Sequence, residues 1–256
     1  MNTLFLGILQ GATEFLPISS SGHLVIAQAI LKVQSPGMLV EIVLHLGTLI
    51  SVLIYFRHDL WRLVSGFFSV GSAGVEPRRE VGYLLLATLP AAVVALTLSD
   101  AIEAAFENVL FCGLMLLVTT AVLVSTRWAV LREGTGLTWI SALIIGGAQA
   151  IAILPGISRS GITIAAGLWL GLTGEMAARF AFLLAIPAIL GAGVFKLLDL
   201  LQAPSQSGPG LLWGFLAAAL VGYCVIAWLM NILRKGRLHF FAGYTLLIAL
   251  MVIFWL

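Results

Sequence analysis

The chain has 256 residues, 61% hydrophobic and 9% charged. Soluble domains carry about 25% charged residues, so this composition excludes that class and points to a helical membrane protein. A net charge of +2 gives no footing for a nucleic-acid partner, and the two cysteines, Cys112 and Cys224, are too few for a disulfide framework or a cysteine metal cluster. Both lie in apolar runs and read as core-filling.

In chain order, the first element is short. Residues 4–16 are apolar for about one helix and then meet Pro17. No basic segment precedes them and Glu14 follows directly, so they do not read as a cleaved signal peptide. A Ser/Gly turn and a second short helix come next. Runs of about 10–14 apolar residues read as re-entrant rather than as full spans. Six later runs are long enough to cross a bilayer: about 38–56, 81–99, 108–127, 178–198, 211–231 and 239–256. Pro90 and Pro187 fall inside two of them, which is tolerated where neighbouring helices satisfy the freed carbonyls. Between the third and fourth spans, residues 140–154 repeat the opening pattern and meet Pro155. The predicted fold is an all-α polytopic membrane protein with six transmembrane helices and two re-entrant helix hairpins. No short alternating strands of a barrel appear.

The two short regions are copies. A shift of 139 residues places Gly7 on Gly146, Gln10 on Gln149, Ser19 on Ser158, Ser21 on Ser160, and Gly22 on Gly161. The chain therefore reads as one membrane domain, 1–256, built of a repeat at about 1–133 and another at about 134–256. Each repeat holds one hairpin and three spans. Three is odd, so the second repeat is inverted, and its site is expected at the midplane between broken helices. The charges agree. Arg57, Arg62, Arg78, Arg79, Arg127, Arg132, Arg179, Arg234, Lys235 and Arg237 fall on one side, and Lys32 and Lys196 towards the other. The positive-inside rule makes the first side cytoplasmic and puts both termini outside.

Two charges remain inside apolar sequence, Glu14 and Arg159. Such residues cost about 2.5–3.5 kcal/mol each at the bilayer centre and mark functional sites. Ser19-Ser20-Ser21-Gly22 and Ser158-Arg159-Ser160-Gly161 each open a helix. Two helix N-termini with hydroxyls and a guanidinium form an anion site suited to phosphate. Ser19 and Ser158 can equally act only as N-caps. His23 lies three residues after Ser20, on the same helix face. Hydroxyl, imidazole and carboxylate together are the parts of covalent catalysis. Ser20 with His23 as base, His23 itself, and direct attack by water all stay open. Glu14 orients the base or, with Gln10 as a second oxygen, binds Mg²⁺ or Ca²⁺. Thr163, one turn after Arg159, offers another hydroxyl. Glu41 and His45 read as an interfacial pair. A transporter or flippase is the alternative, since inverted repeats with broken helices are its hallmark.

The segments QGATEFLPISSSGH at 10–23, PGISRSGIT at 155–163 and LHLGTL at 44–49 resemble the undecaprenyl-pyrophosphate phosphatases of the bacitracin-resistance type, over essentially the whole chain. The resemblance implies hydrolysis of undecaprenyl diphosphate to undecaprenyl phosphate and inorganic phosphate. That reaction recycles the lipid carrier of cell-wall synthesis and confers bacitracin resistance. It implies Glu14, Ser20, His23 and Arg159 as catalytic residues. Ser19, Ser21, Ser158, Arg159, Ser160 and Thr163 would hold phosphate. A divalent cation, Mg or Ca, is expected at Glu14 with Gln10, where some members carry Glu. The implied partners are the lipid substrate and the bilayer of a bacterial plasma membrane, with a homodimer compatible and no nucleic acid.

Overall fold

The computed structural model describes residues 2–31, 38–129, 136–200, 210–234 and 237–255. Lys32, Arg132 and Lys235 lie outside the described residues, as do the side chains of Glu41 and Lys196. The described residues form twelve α-helices and no strand. They are α1 (Asn2–Glu14), α2 (Ser20–Leu31), α3 (Met38–Tyr55), α4 (Arg57–Phe68), α5 (Val75–Thr97) and α6 (Ser99–Phe106), followed by α7 (Val109–Ser125), α8 (Trp139–Ile151), α9 (Arg159–Trp169), α10 (Gly174–Leu200), α11 (Leu211–Leu233) and α12 (Phe241–Trp255).

Five stretches among the described residues are long and apolar enough to cross a membrane: Ser72–Thr97, Val109–Trp128, Gly174–Val194, Leu211–Leu233 and Leu238–Trp255. A sixth exists if α3 and α4 count as one bent element. Large apolar side chains such as Leu85, Leu220, Leu247 and Phe254 are exposed along these helices. All seven tryptophans are exposed, most of them near helix ends, where aromatic rings meet the membrane–water boundary. The chain is a multi-pass membrane protein. α5 and α10 run through Pro90 and Pro187 without ending.

Three expectations change. Residues 57–80 are not a plain loop, because α4 bends away from α3 by 75°. It buries Leu63 and exposes Trp61, Val64 and Phe68, as an amphipathic helix lying along an interface does. The connection between the expected spans at 81–99 and 108–127 is helical as α6. Cys112 is buried as expected, but Cys224 is exposed on α11.

The short helices stop at their prolines. α1 ends at Glu14 and α8 at Ile151, just before Pro17 and Pro155, whose missing N–H and bias against helical backbone in the preceding residue favour a break there. Gly156 adopts φ of +94°, a turn that only glycine makes without strain.

The halves exchange partners. α1 packs on α11, and a Cβ on Gly7 would strike the Gly214 backbone. α8 packs on α5, and a Cβ on Gly146 would strike the Ala87 backbone. α3 meets α10, and α7 meets α12, where Thr120 Oγ1 and Thr245 Oγ1 are 2.8 Å apart. Because backbone cannot yield as a side-chain tip can, Gly146→Leu should cost about 1–3 kcal/mol or more. Thermal unfolding in detergent should show a clear drop in melting temperature, whereas Gly147→Leu, facing open space, should not.

One face carries an ion-pair network. Arg179 Nε lies 2.5 Å from Asp59 of α4, and its Nη2 lies 2.7 Å from Glu80 of α5. Arg62 also pairs with Glu80, and Arg234 with Glu175 at 2.9 Å.

Candidate active site

The site forms where the two broken turns meet. Ser19 lies in the left-handed region at φ 68°, a conformation that costs a non-glycine residue about 1–3 kcal/mol and collects at functional sites. Its Oγ accepts from Gly22 N at 3.2 Å and caps α2. Ser158 Oγ accepts from Gly161 N at 3.1 Å and caps α9. Ser21 and Ser160 sit beside the caps, with Oγ–Oγ distances of 3.2 Å to Ser19 and 3.3 Å to Ser158. Ser160 Oγ also donates to Leu16 O at 3.0 Å, which ties the second turn to the first. Thr119 of α7 pins the second turn: its Oγ1 donates to Gly156 O at 2.8 Å and accepts from Ser158 N at 3.0 Å. The first turns of α2 and α9 are therefore held against each other.

Glu14 ends α1 and is buried, with 7% exposure. Its Oε2 accepts from Ser20 Oγ at 2.7 Å and from Gln10 Nε2 at 3.0 Å. His45 Nε2 of α3 lies 3.7 Å from the same oxygen. Its Oε1 pairs with Arg159 Nη2. The structure thus brings Glu14, Ser20 and Arg159 together, with Gln10 behind them. A carboxylate that accepts from a serine hydroxyl can take its proton, and a guanidinium beside it can receive phosphate oxygens.

His23 stands apart from this group. Its Nδ1 is 2.8 Å from Ser19 O, and its Nε2 is 2.7 Å from the Tyr244 hydroxyl of α12. Ser20 and His23, expected on one helix face with His23 as a candidate base, take different partners: the turn after Pro17 places the Ser20 hydroxyl on Glu14. Thr163 also differs from expectation. It is fully buried, and its hydroxyl donates to Arg159 O at 2.7 Å, one turn behind the helix end. Ser19 and Ser158 are engaged as caps.

Two contributors were missed, Tyr244 and Thr119, and His45, read as an interfacial residue, lies beside Glu14 instead. His45 carried a usable signal, since an ionisable residue in LHLGTL meets the same test that singled out Glu14. Tyr244 and Thr119 carried none, because such residues are ordinary in apolar spans.

Gln10 Oε1 is buried without a hydrogen-bond partner beside Glu14, an orphaned acceptor of the kind a cation uses. Among the described residues no three His, Cys, Asp or Glu side chains gather to hold an ion by themselves. Gln10 and Glu14 fit a cation that draws its remaining oxygens from phosphate.

The family model described as bacitracin resistance protein BacA matches residues 3–251. A protein of Korarchaeum cryptofilum, named undecaprenyl-diphosphatase, is 41% identical, with 98% of this chain and 97% of that one covered. One of Syntrophotalea carbinolica with the same name is 43% identical, covering 95% and 94%. A third with that name, from Methanosphaera stadtmanae, is 38% identical, covering 99% and 96%. With a family match over nearly its whole length and relatives of this similarity, the chain belongs to the bacitracin resistance protein BacA family.

Proposed function

We propose that this chain is an integral membrane phosphatase that hydrolyses undecaprenyl diphosphate to undecaprenyl phosphate and inorganic phosphate. The observation that carries the reading is the Ser20 hydroxyl, 2.7 Å from a buried Glu14 carboxylate that also pairs with Arg159. The names of the relatives support the same substrate.

In the resting state Arg159 neutralises Glu14. An arriving diphosphate competes for the guanidinium, which binds phosphate in a bidentate way. Its oxygens also meet the N–H groups opening α2 and α9, at the positive ends of both helices. Glu14, released from Arg159, takes the Ser20 proton. Ser20 Oγ bonds to the terminal phosphorus as the anhydride P–O bond breaks, and undecaprenyl phosphate leaves. Water then attacks the phosphoserine. His23 takes one proton of that water, and Glu14 returns its proton to Ser20 Oγ as the P–O bond to serine breaks. Ser21 and Ser160 line the phosphate, while Ser19, Ser158 and Thr163 keep the two helix ends in place.

A divalent cation, Mg²⁺ or Ca²⁺, would be held by Gln10 Oε1 and Glu14 and would supply charge neutralisation on the phosphates. Gln10→Leu should then raise the cation concentration for half-maximal activity roughly tenfold, as loss of one ligand-shell group does elsewhere. A titration of phosphate release against Mg²⁺ checks this. An unchanged half-saturation point removes Gln10 from the cation site.

Six spans, two re-entrant hairpins and an inverted repeat of about 1–133 and 134–256 are the topology that goes with this site. The exchanged partners of α1 and α8, each seated through the equivalent glycines Gly7 and Gly146, support the inversion. Clustering of Arg62, Arg179 and Arg234 on acidic partners supports one basic, cytoplasmic side. Both termini would face outward from a plasma membrane, and recycling of the carrier for cell-wall synthesis, with bacitracin resistance, would be the cellular consequence.

A further inference from the structure

His23 is held at both ring nitrogens. Ser19 O, 2.8 Å from Nδ1, can only accept, so Nδ1 carries the hydrogen. In the neutral ring the basic lone pair is then on Nε2. The Tyr244 hydroxyl sits 2.7 Å from it and donates to it. The two rings are nearly parallel, 5° apart, so the contact is aligned rather than glancing. The partners are 221 residues apart in sequence and join α2 to α12.

This arrangement has a consequence for the second half-reaction. His23 is buried, and its one basic lone pair is covered. Tyr244 is 43% exposed. With Nε2 engaged by the Tyr244 hydroxyl, a proton bound for His23 passes through that hydroxyl. A tyrosine that donates to an imidazole keeps its own lone pairs free to accept.

We infer that Tyr244 is a further catalytic residue, whose hydroxyl relays a proton from the attacking water to His23 as the phosphoserine is hydrolysed. The water O–H breaks and a new Oη–H forms. The original Oη–H breaks and Nε2–H forms. The hydroxide bonds to phosphorus as Ser20 leaves with the Glu14 proton. Tyr244 ends neutral and His23 ends as imidazolium, its Nδ1–H still on Ser19 O. The inference rests on the phosphoserine route proposed above and assigns to its second step a group from the other half of the chain.

The test uses full-length protein in detergent, undecaprenyl diphosphate labelled in its terminal phosphate, and the variants Tyr244→Phe and His23→Ala. Phenylalanine keeps the ring and its packing and removes only the hydroxyl. Steady-state kcat should fall roughly 10–100-fold, the scale of a lost proton-transfer group. KM should fall with it, so that kcat/KM, which reports the first half-reaction, stays within about twofold. Label should accumulate on Ser20 of Tyr244→Phe, and likewise on His23→Ala. A merely structural tyrosine would not slow one half-reaction alone. Wild-type turnover by Tyr244→Phe overturns the relay and leaves the phosphoserine route standing. Slow turnover with kcat/KM equally reduced and no label on Ser20 of that variant, while His23→Ala does accumulate it, also overturns the relay. An absence of label on Ser20 in both variants overturns the phosphoserine route and the relay with it.

Discussion

Arg159→Ala should lower kcat/KM for undecaprenyl diphosphate by about 10³-fold or more, the scale on which a guanidinium stabilises phosphoryl transfer. The same change leaves the Glu14 carboxylate buried without its cation. Breaking a buried pair in this way costs about 3–5 kcal/mol, so activity and folding would fall together. The double variant Arg159→Ala with Glu14→Gln separates the two effects. It removes both charges, so its melting temperature in detergent should recover most of the loss. Its phosphate release should not recover, because neither the phosphate clamp nor the base is restored. Arg159→Lys should keep the charge yet lose most activity, since an ammonium cannot match phosphate oxygens in a bidentate fork. Wild-type activity in folded Arg159→Ala would remove this residue from the site.

Ser20→Ala should reduce kcat roughly 10⁴-fold or more, as loss of a nucleophile does when it acts as one unit with its base. Glu14→Gln should approach the same floor, because the amide keeps the shape but cannot take the Ser20 proton. The sharper expectation concerns the pair. If Ser20 and Glu14 serve one step, joined by their 2.7 Å hydrogen bond, the double variant should be little slower than the worse single one. Losses that multiply would mean that the two residues act separately. Single-turnover phosphate release in detergent measures all three.

Much of this site was legible before the fold. Glu14 and Arg159 stand out because a charge in apolar sequence needs a reason, and Pro17 and Pro155 announce where the short helices must stop. The 139-residue shift tied the two turns together, and their caps, Ser19 and Ser158, are related in the fold as in the sequence. Pairing was not legible. Spacing along α2 put Ser20 with His23, but the break before the helix decides which neighbour Ser20 meets, and that neighbour is Glu14. Thr163 sits at the right spacing from Arg159, yet its hydroxyl is satisfied by its own helix, an option every threonine in a helix has. α4 escaped notice because its charged residues, Arg57, His58, Asp59 and Arg62, hid the apolar residues between them. Tyr244 could not have been found, since nothing local to FFAGYTLL points to a histidine 221 residues away.

The most direct measurement follows the phosphate itself. Wild-type protein in detergent, with no membrane to move a lipid across, is mixed with undecaprenyl diphosphate labelled in its terminal phosphate and quenched within one turnover. Inorganic phosphate should be released and, at early times, label should be found on Ser20. Label on His23, release with no labelled residue at any time, or no release at all would contradict the account.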